Sequence, residues 1–455
     1  MDIRELYIKP QEGDKVTFLG RVRSNRAGKK VSFLVVNDGT TMNDAQIVYK
    51  DDLKNYEEAS KIRVGSIVEI QGTIHLTPDR PQPFEIQATS IECLDEAIEA
   101  YPLQKKEHSL EYLREIAQLR ARTKTFNAVF KIRSIAAFAI HKFFQSQNFV
   151  YVNTPIITSN DAEGAGEEFG VITYDSKNNP LTTDFFNKKA SLTVSGQLNA
   201  EAFAQAFKKV YTFGPTFRAE QSFTSRHASE FWMIEPEVAF NTLEDNIELI
   251  EAMLKYIFKD VLENAKEELE FLDENVEKGL VQKLEKLSTE KYVVNTYEQV
   301  IEMLKKAVDN KEVNFENNDI HFGLDLGTEH ERYLCEVINK APTFVTNYPK
   351  DIKAFYMKLN PDEKTVAAVD LLVPGIGELV GGSEREGSFD KLMKRCEQMG
   401  IDPTELDWYI QLRQYGYYKS AGFGLGFERL IMYITGMTNI RDVIPYPRTP
   451  KNLLF

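Results

Sequence analysis

The hydrophobic period of this chain switches near residue 122, and that switch limits what the chain can fold into. Up to residue 95 the apolar residues come in short runs at strand spacing, broken by turn residues: VTFLGRVRSNRAGKKVSFLVVNDGT (16–40), DAQIVY (44–49) and SIVEIQGTIHL (66–76). From Thr123 to Asn148 the spacing is helical instead. Phe126, Val129, Phe130, Ile132, Ile135, Phe138, Ile140 and Phe143 recur as one long helix, which runs into FVYVNTPIIT, an extended segment stopped by Pro155. Between the two regimes lies a charged connector, CLDEAIEAYPLQKKEHSLEYLREIAQLRART, with the composition of a hinge. The expected organisation is therefore α+β: a β-domain over 1–97, a hinge over 98–122, and one large domain over 123–455. Residues of about 243–315 are helical in spacing and heavily charged, so a solvated helical insertion is expected there.

Roughly five short strands in about 95 residues suit a small closed barrel, of which the OB-fold is the commonest of that size. No run approaches the length of a membrane span, so no membrane partner is expected. The N-terminus carries neither a signal-peptide run nor the bias of a transit peptide. Cys93, Cys335 and Cys396 lie far apart, with no CxxC, which fits a reducing cytoplasm and argues against a cysteine-held zinc. EHER at 329–332 resembles a zinc motif only superficially. A net charge of −14 excludes indiscriminate coating of nucleic acid, because phosphate neutralisation needs clustered cations. One local cluster exists: Arg21, Arg23, Arg26, Lys29 and Lys30 share a window without an acid.

Two stretches carry chemistry. In FGPTFRAEQSFTSRHASEFWMIEPEVAF (213–240), an apolar strand ends in Arg218 and Glu220, a polar connector brings Arg226 and His227, and a second strand returns. Such a hairpin presents two arginines and a histidine from one edge, with the Phe231 ring beside them. Guanidinium forks bind phosphate oxygens bidentately, so a polyphosphate suits this edge. Taken alone, Arg218 and Arg226 could simply pair with Glu220 and Glu230. In SAGFGLGFERLIMYITGM (420–437), Gly422, Gly424 and Gly426 alternate along one strand before Glu428 and Arg429 open an apolar helix. Alternating glycines let a strand lie close to a ligand, although bulges also produce them.

The first string resembles motif 2 of the class II aminoacyl-tRNA synthetases, and the second resembles their motif 3. The long helix, strand and Pro155 resemble motif 1. All three occur in the family's order, and the leading barrel resembles subclass IIb, the aspartyl, asparaginyl and lysyl enzymes. The resemblance implies an antiparallel catalytic sheet flanked by helices, a homodimer with Pro155 at its interface, and ATP as substrate. ATP would be held by Arg218, Glu220, Arg226, His227, Phe231, Glu378 and Arg429, with Arg218 the catalytic residue bridging carboxylate and α-phosphate. It further implies Mg²⁺ on Glu378, with Asp370 the less secure ligand because its spacing is one residue long. The chain has neither a P-loop nor a HIGH-type signature, so no class I reading competes.

DLLVPGIGELVGGSEREG (370–387), GLDLGTEHERYL (323–334) and FVTNYPKDIKAFYM (344–357) resemble the asparaginyl branch. The substrates implied are L-asparagine and tRNA(Asn), joined through an adenylate. By the same resemblance Glu163, Ser195, Gln197, Glu235 and Arg385 would hold the amino acid, and Arg21, Phe33 and Gln46 the anticodon, by stacking and base-edge hydrogen bonds. Arg385 donating to the side-chain oxygen and Glu235 accepting from the NH₂ would form a pair that suits a carboxamide. The aspartyl enzymes carry a Lys shortly after the S-x-Q element, where this chain has Ala200. Three other readings stay open: an aspartyl enzyme, a tRNA-independent asparagine synthetase of related fold, and a non-catalytic RNA-binding paralogue.

Overall fold

A computed structural model of the chain describes residues 1–80, 82–160, 167–181 and 185–455. The chain divides into two compact units, one of residues 1–131 with 267–272, the other of 132–266 with 273–455.

Among the described residues of the first unit, β1 (Lys15–Arg26), β2 (Ser32–Asn37), β3 (Ala45–Tyr49), β4 (Ile67–Leu76) and β5 (Phe84–Asp95) close into a barrel in the order β1-β2-β3-β5-β4. Strict alternation drives closure. Val16, Phe18 and Val22 of β1, Leu34 and Val36 of β2, and Ile47 and Tyr49 of β3 point inward and pack with Val68, Ile70 and Ile86. Residues between them face outward. The connector after the barrel is partly helical, at Leu110–Glu115 and Ala117–Arg120, and Ser109 caps the first of these by accepting from Tyr112 N at 3.2 Å.

The second unit is built on an eight-stranded sheet. Its strands are β6 (Val150–Tyr151), β9 (Lys209–Phe217), β10 (Glu230–Ala239), β11 (Val293–Thr296), β12 (Thr343–Pro349), β13 (Thr365–Val373), β14 (Gly377–Glu384) and β15 (Ser420–Gly426). They run in the order β11-β12-β13-β14-β15-β10-β9-β6, and β7 (Ile157–Thr158) pairs separately with β8 (Ser191–Leu192). The central strands are antiparallel, while β6 on β9 and β11 on β12 are parallel additions at the two edges. β13 is buried along its whole length, as a strand covered on both faces must be. The long helix forms as expected, over Lys124–Ser146.

The 243–315 region differs from the expected solvated insertion. Helix Leu243–Asn264 begins at a capping box on Thr242 and Asp245 and buries Ile250, Met253, Leu254, Ile257, Phe258 and Val261. Helix Leu280–Thr289 buries Leu280, Leu284 and Leu287. The region then supplies β11 and the helix Tyr297–Asp309, whose Val300, Ile301 and Leu304 join a cluster with Val345, Val366 and Leu372 of the sheet. Most of its charges occupy the outer faces of amphipathic helices, with Glu268 a buried exception.

Candidate active site

β9 and β10 form the hairpin read from the sequence, with Phe217 opposite Glu230. β15 lies on the other side of β10, and Met233 faces Gly426. One cavity opens at this junction. Arg218, Glu220, Arg226, His227, Phe231, Glu378 and Arg429, separated by up to two hundred residues of chain, all line it.

Arg226 and Arg429 are held by neutral oxygens. Arg226 donates to the Ile376 carbonyl and, at 2.6 Å, to Thr328 Oγ1, so neither Glu220 nor Glu230 is its partner. Arg429 donates to the Glu378 carbonyl at 3.0 Å. The Arg218 guanidinium lies 5.4 Å from the centre of the Phe231 ring. Burial and the neighbouring Arg429 charge hold His227 below its ordinary pKa, so the imidazole is neutral at pH 7. Glu428, beside Arg429, belongs to the scaffold: it accepts from Arg133 Nη2 at 2.7 Å and from Trp232 N at 2.9 Å.

The motif 3 glycines do different things. A Cβ on Gly426 would meet nothing nearer than 4.0 Å, so this position leaves the cavity open. A Cβ on Gly422 would instead lie 2.2–2.5 Å from the Glu237 carboxylate, and one on Gly424 would meet Met233 at 2.8 Å. Gly422 thus makes room for the protein's own carboxylate, whereas Gly424 and Gly426 line the cavity.

Three carboxylates gather beside this cavity. Glu378 Oε1 and Asp370 Oδ1 both face the Cα of Gly381, where a Cβ would come within 3.0 and 3.5 Å of them. Glu331 accepts from Glu378 N at 3.2 Å, and burial together with the charges of Glu378 and Asp370 pushes it up to about 7. Lys353 Nζ offsets part of this charge at 2.5 Å from Asp370 Oδ2. Two oxygens converging on one point are the donor set a hard divalent cation takes when phosphates complete its shell. Among the described residues no three such side chains are arranged to hold a metal by themselves.

A second cavity, lined by Thr193, Gly196, Thr212 and Glu235, adjoins the S-x-Q turn. Glu235 is buried and accepts from Ser195 Oγ and, at 2.9 Å, from Gly196 N; Ser195 Oγ in turn accepts from Gln197 N at 3.1 Å. The Gln197 amide nitrogen is buried without a hydrogen-bond partner. Arg385 does not pair with Glu235. It forks onto Glu237, two residues along the same face of β10, and donates through Nη1 to Ser383 at 2.8 Å. Burial raises the Glu237 carboxyl, and the Arg385 guanidinium pulls it back toward the ionised form. Glu163 lies outside the described residues.

On the barrel, Phe33 faces Val48 and Val35 faces Gln46 in the β2–β3 ladder, which sets Phe33 and Gln46 diagonally on one outward face. Gln46 donates to Glu85 at 2.7 Å, and Arg80 donates to the same oxygen at 2.8 Å. Arg26 is the cross-strand neighbour of Phe33 on β1. Arg21 is not on this platform: its guanidinium donates to the Gly65 carbonyl at 2.6 Å and lines a separate cavity.

Glu237, Glu331 and Lys353 escaped the sequence reading as site residues, and Arg26 was read only as one member of a basic cluster. Glu237 had a legible signal, since residues i and i+2 of a strand share a face and Glu235 was already in the pocket. Lys353 had none, because its partner is fixed only by the pairing of β12 with β13.

Residues 109–450 match a family model described as tRNA synthetases class II (D, K and N), and residues 16–94 match one for an OB-fold nucleic acid binding domain. The chain belongs to the class II aminoacyl-tRNA synthetases. This synthetase is 67% identical over its full length, and the relative's, to the asparagine–tRNA ligase of Mesoplasma florum, and 54% identical to that of Alkaliphilus metalliredigens over 100% of this chain and 99% of the relative. The asparaginyl-tRNA synthetase of Pyrococcus horikoshii, solved with asparaginyl-adenylate, superposes on the synthetase with a TM-score of 0.88 at 32% identity, covering 100% of this chain and 99% of that one. The expected architecture, a barrel of the OB type and a class II catalytic sheet, is the one observed.

Proposed function

We propose that the chain ligates L-asparagine to tRNA(Asn), first forming asparaginyl-adenylate from asparagine and ATP. The observation that supports this reading is one cavity lined by all seven residues expected to hold the nucleotide. The 67% identity to an asparagine–tRNA ligase supports the choice of amino acid.

In this mechanism the asparagine carboxylate, ionised near pH 7, attacks the α-phosphorus. An oxygen–phosphorus bond forms in line as the bond to the β-phosphate oxygen breaks, and pyrophosphate leaves. Arg218 bridges the incoming carboxylate and the α-phosphate. Arg226, His227 and Arg429 stabilise the departing phosphates. Phe231 offers its ring to the adenine, and Glu220 completes the polar wall. Catalysis is positioning and electrostatic stabilisation with no general base. The terminal ribose of the tRNA then attacks the adenylate carbonyl, and AMP leaves.

Glu378 and Asp370 would hold Mg²⁺, which supplies charge neutralisation to the phosphates; Glu331 and Lys353 set the charge around them. Glu163, Ser195, Gln197, Glu235 and Arg385 form the asparagine pocket, with the unsatisfied Gln197 amide aimed at substrate and Glu237 holding Arg385 in place. Phe33 and Gln46, with Arg26 beside them, form the anticodon platform within an anticodon-binding domain over 1–97, ahead of a hinge over 98–122. Phe138, Val150, Tyr151, Ile156 and Ile157 are exposed around motif 1 and Pro155, a concentration of apolar surface suited to a homodimer interface. The free cysteines suit the cytoplasm. Among the described residues no helix is long and apolar enough to cross a membrane.

The test is aminoacylation of purified tRNA(Asn) with labelled asparagine and ATP. Asparagine-dependent charging supports the reading; RNA binding with no charging and no pyrophosphate exchange would make the chain a non-catalytic paralogue.

A further inference from the structure

Arg21, Arg23 and Arg122 converge on a cavity of about 340 Å³ in the first unit, bordered by Asn37, Thr41 and Asn127. The register of β1 against β2 shifts between Val22 and Ser24, and this irregularity turns Arg23 out of the regular alternation. The connector preceding the long helix brings Arg122 to the same place.

The three guanidiniums are held apart from carboxylates. Arg21 Nη1 donates to the Gly65 carbonyl at 2.6 Å, Arg23 Nη1 donates to the Arg122 carbonyl, and Arg122 Nη1 reaches the Tyr101 hydroxyl at 3.3 Å. Each spends one of its five N–H donors on a neutral oxygen. Among the described residues none of the three forms an ion pair, whereas the nearby Lys124 is matched by Asp44 at 3.0 Å. The acid on the cavity wall, Asp38, is committed to its own loop. It accepts from Ile3 N at 2.7 Å, Thr40 N at 2.9 Å and Thr40 Oγ1 at 2.6 Å. Burial and the like charges of Arg122 and Arg23 pull Arg21 below its ordinary pKa, with Asp95 and Tyr101 opposing. Like charges gathered in a concavity with unspent donors are the arrangement an anion relieves, and the planar fork of arginine matches phosphate oxygens in particular.

We infer that this cavity is a phosphate-binding site that takes a backbone phosphodiester of the tRNA, separate from the base-reading face at Phe33 and Gln46. The inference rests on the reading that the chain binds a tRNA. It assigns Arg21 to backbone positioning instead of the anticodon, and contacts of this kind add affinity without sequence preference. A site that took free phosphate or pyrophosphate would share the same chemistry.

The test measures tRNA affinity between 50 and 200 mM KCl for the wild type, Arg122→Gln, Arg23→Gln and Arg122→Lys. Asparagine-dependent pyrophosphate exchange, thermal melting and binding of inorganic phosphate and pyrophosphate are followed in parallel. One lost phosphate contact lowers the salt slope by about 0.9, so over this range the wild type should lose about three- to fourfold more affinity than either Gln variant. Arg122→Lys should restore the slope. Exchange should be unchanged, and melting unchanged or raised, because a like charge has been removed. An unaltered slope overturns the proposal, and a lowered melting temperature with that slope makes the arginines structural. Phosphate or pyrophosphate binding abolished by Arg122→Gln, with the tRNA slope intact, would make this a free-anion site and also overturn it. Failure of the wild type in exchange would count against the proposed function, not against this site.

Discussion

Gly422→Ala gives a sharp probe of the buried pair under the asparagine pocket. The added Cβ would stand 2.2, 2.3 and 2.5 Å from the three carboxylate atoms of Glu237, about 1 Å inside ordinary contact. Glu237 is fully buried and cannot swing into solvent, so it must withdraw from Arg385, itself only 2% exposed. Breaking a buried ion pair costs about 3–5 kcal/mol, and alanine in a strand returns about 0.4–1 kcal/mol through the unfolded chain. The net expectation is a destabilisation of about 2–4 kcal/mol. Arg385 then loses its orientation, and a loss of about 2 kcal/mol in transition-state binding lowers kcat/KM for asparagine about 30-fold. Denaturant titration and pyrophosphate exchange read the two effects. Gly426→Ala is the control, because its Cβ meets nothing nearer than 4.0 Å. It should keep full stability and raise only the KM for ATP. A Gly422→Ala protein with wild-type stability and wild-type KM for asparagine would refute the reasoning.

Arg218→Ala should cut pyrophosphate exchange by at least about 10²-fold, the usual scale for one transition-state charge partner, while the protein stays folded; Arg429→Ala should act similarly, mainly through ATP. Wild-type exchange in either variant would break the motif assignment. Phe33→Ala and Gln46→Ala should spare exchange but weaken aminoacylation by about 1–3 kcal/mol each, and equal damage to both half-reactions would remove the platform from anticodon reading. His227 titrates below its ordinary value because of burial and Arg429, so the folded state prefers it neutral. Its contribution to stability is therefore complete above about pH 6.5 and declines as pH falls below that, where the unfolded chain takes up the proton first. Wild type and His227→Asn should show parallel stability profiles between pH 7 and 8 and diverge only on the acid side. Divergence above pH 7 would mean a charged imidazole.

The barrel and the long helix were legible because each rests on one period sustained over many residues, Val16 to Tyr49 in one case and Phe126 to Phe143 in the other. The 243–315 region was misread because its charge count hid the apolar stripe of Ile250, Leu254, Ile257 and Val261, which amphipathic spacing alone would have revealed. Edge strand β11, at four residues, is too short for a period to register. The residues that line the cavity between β10 and β15 were legible as a group because two local strings carry most of them. Arg385 was read as a donor to the substrate, and its pairing with buried Glu237 was not legible, because strands distant in sequence bring the two together. Arg21 was assigned by its neighbourhood in sequence; it pairs with Asn37, four residues along β2 from Phe33, and its guanidinium turns to the Gly65 carbonyl.

The pocket should distinguish a carboxamide from a carboxylate of the same shape. Glu235 is engaged by Ser195 and Gly196, and Arg385 is balanced by Glu237, so aspartate would bring an additional negative charge beside two buried acids. A mismatch of this type supports about 10⁴-fold rejection without editing. Pyrophosphate exchange measured with asparagine and aspartate at matched concentrations should give kcat/KM values about four orders of magnitude apart, in favour of asparagine. Comparable values would contradict the account and make this a relaxed or aspartyl enzyme.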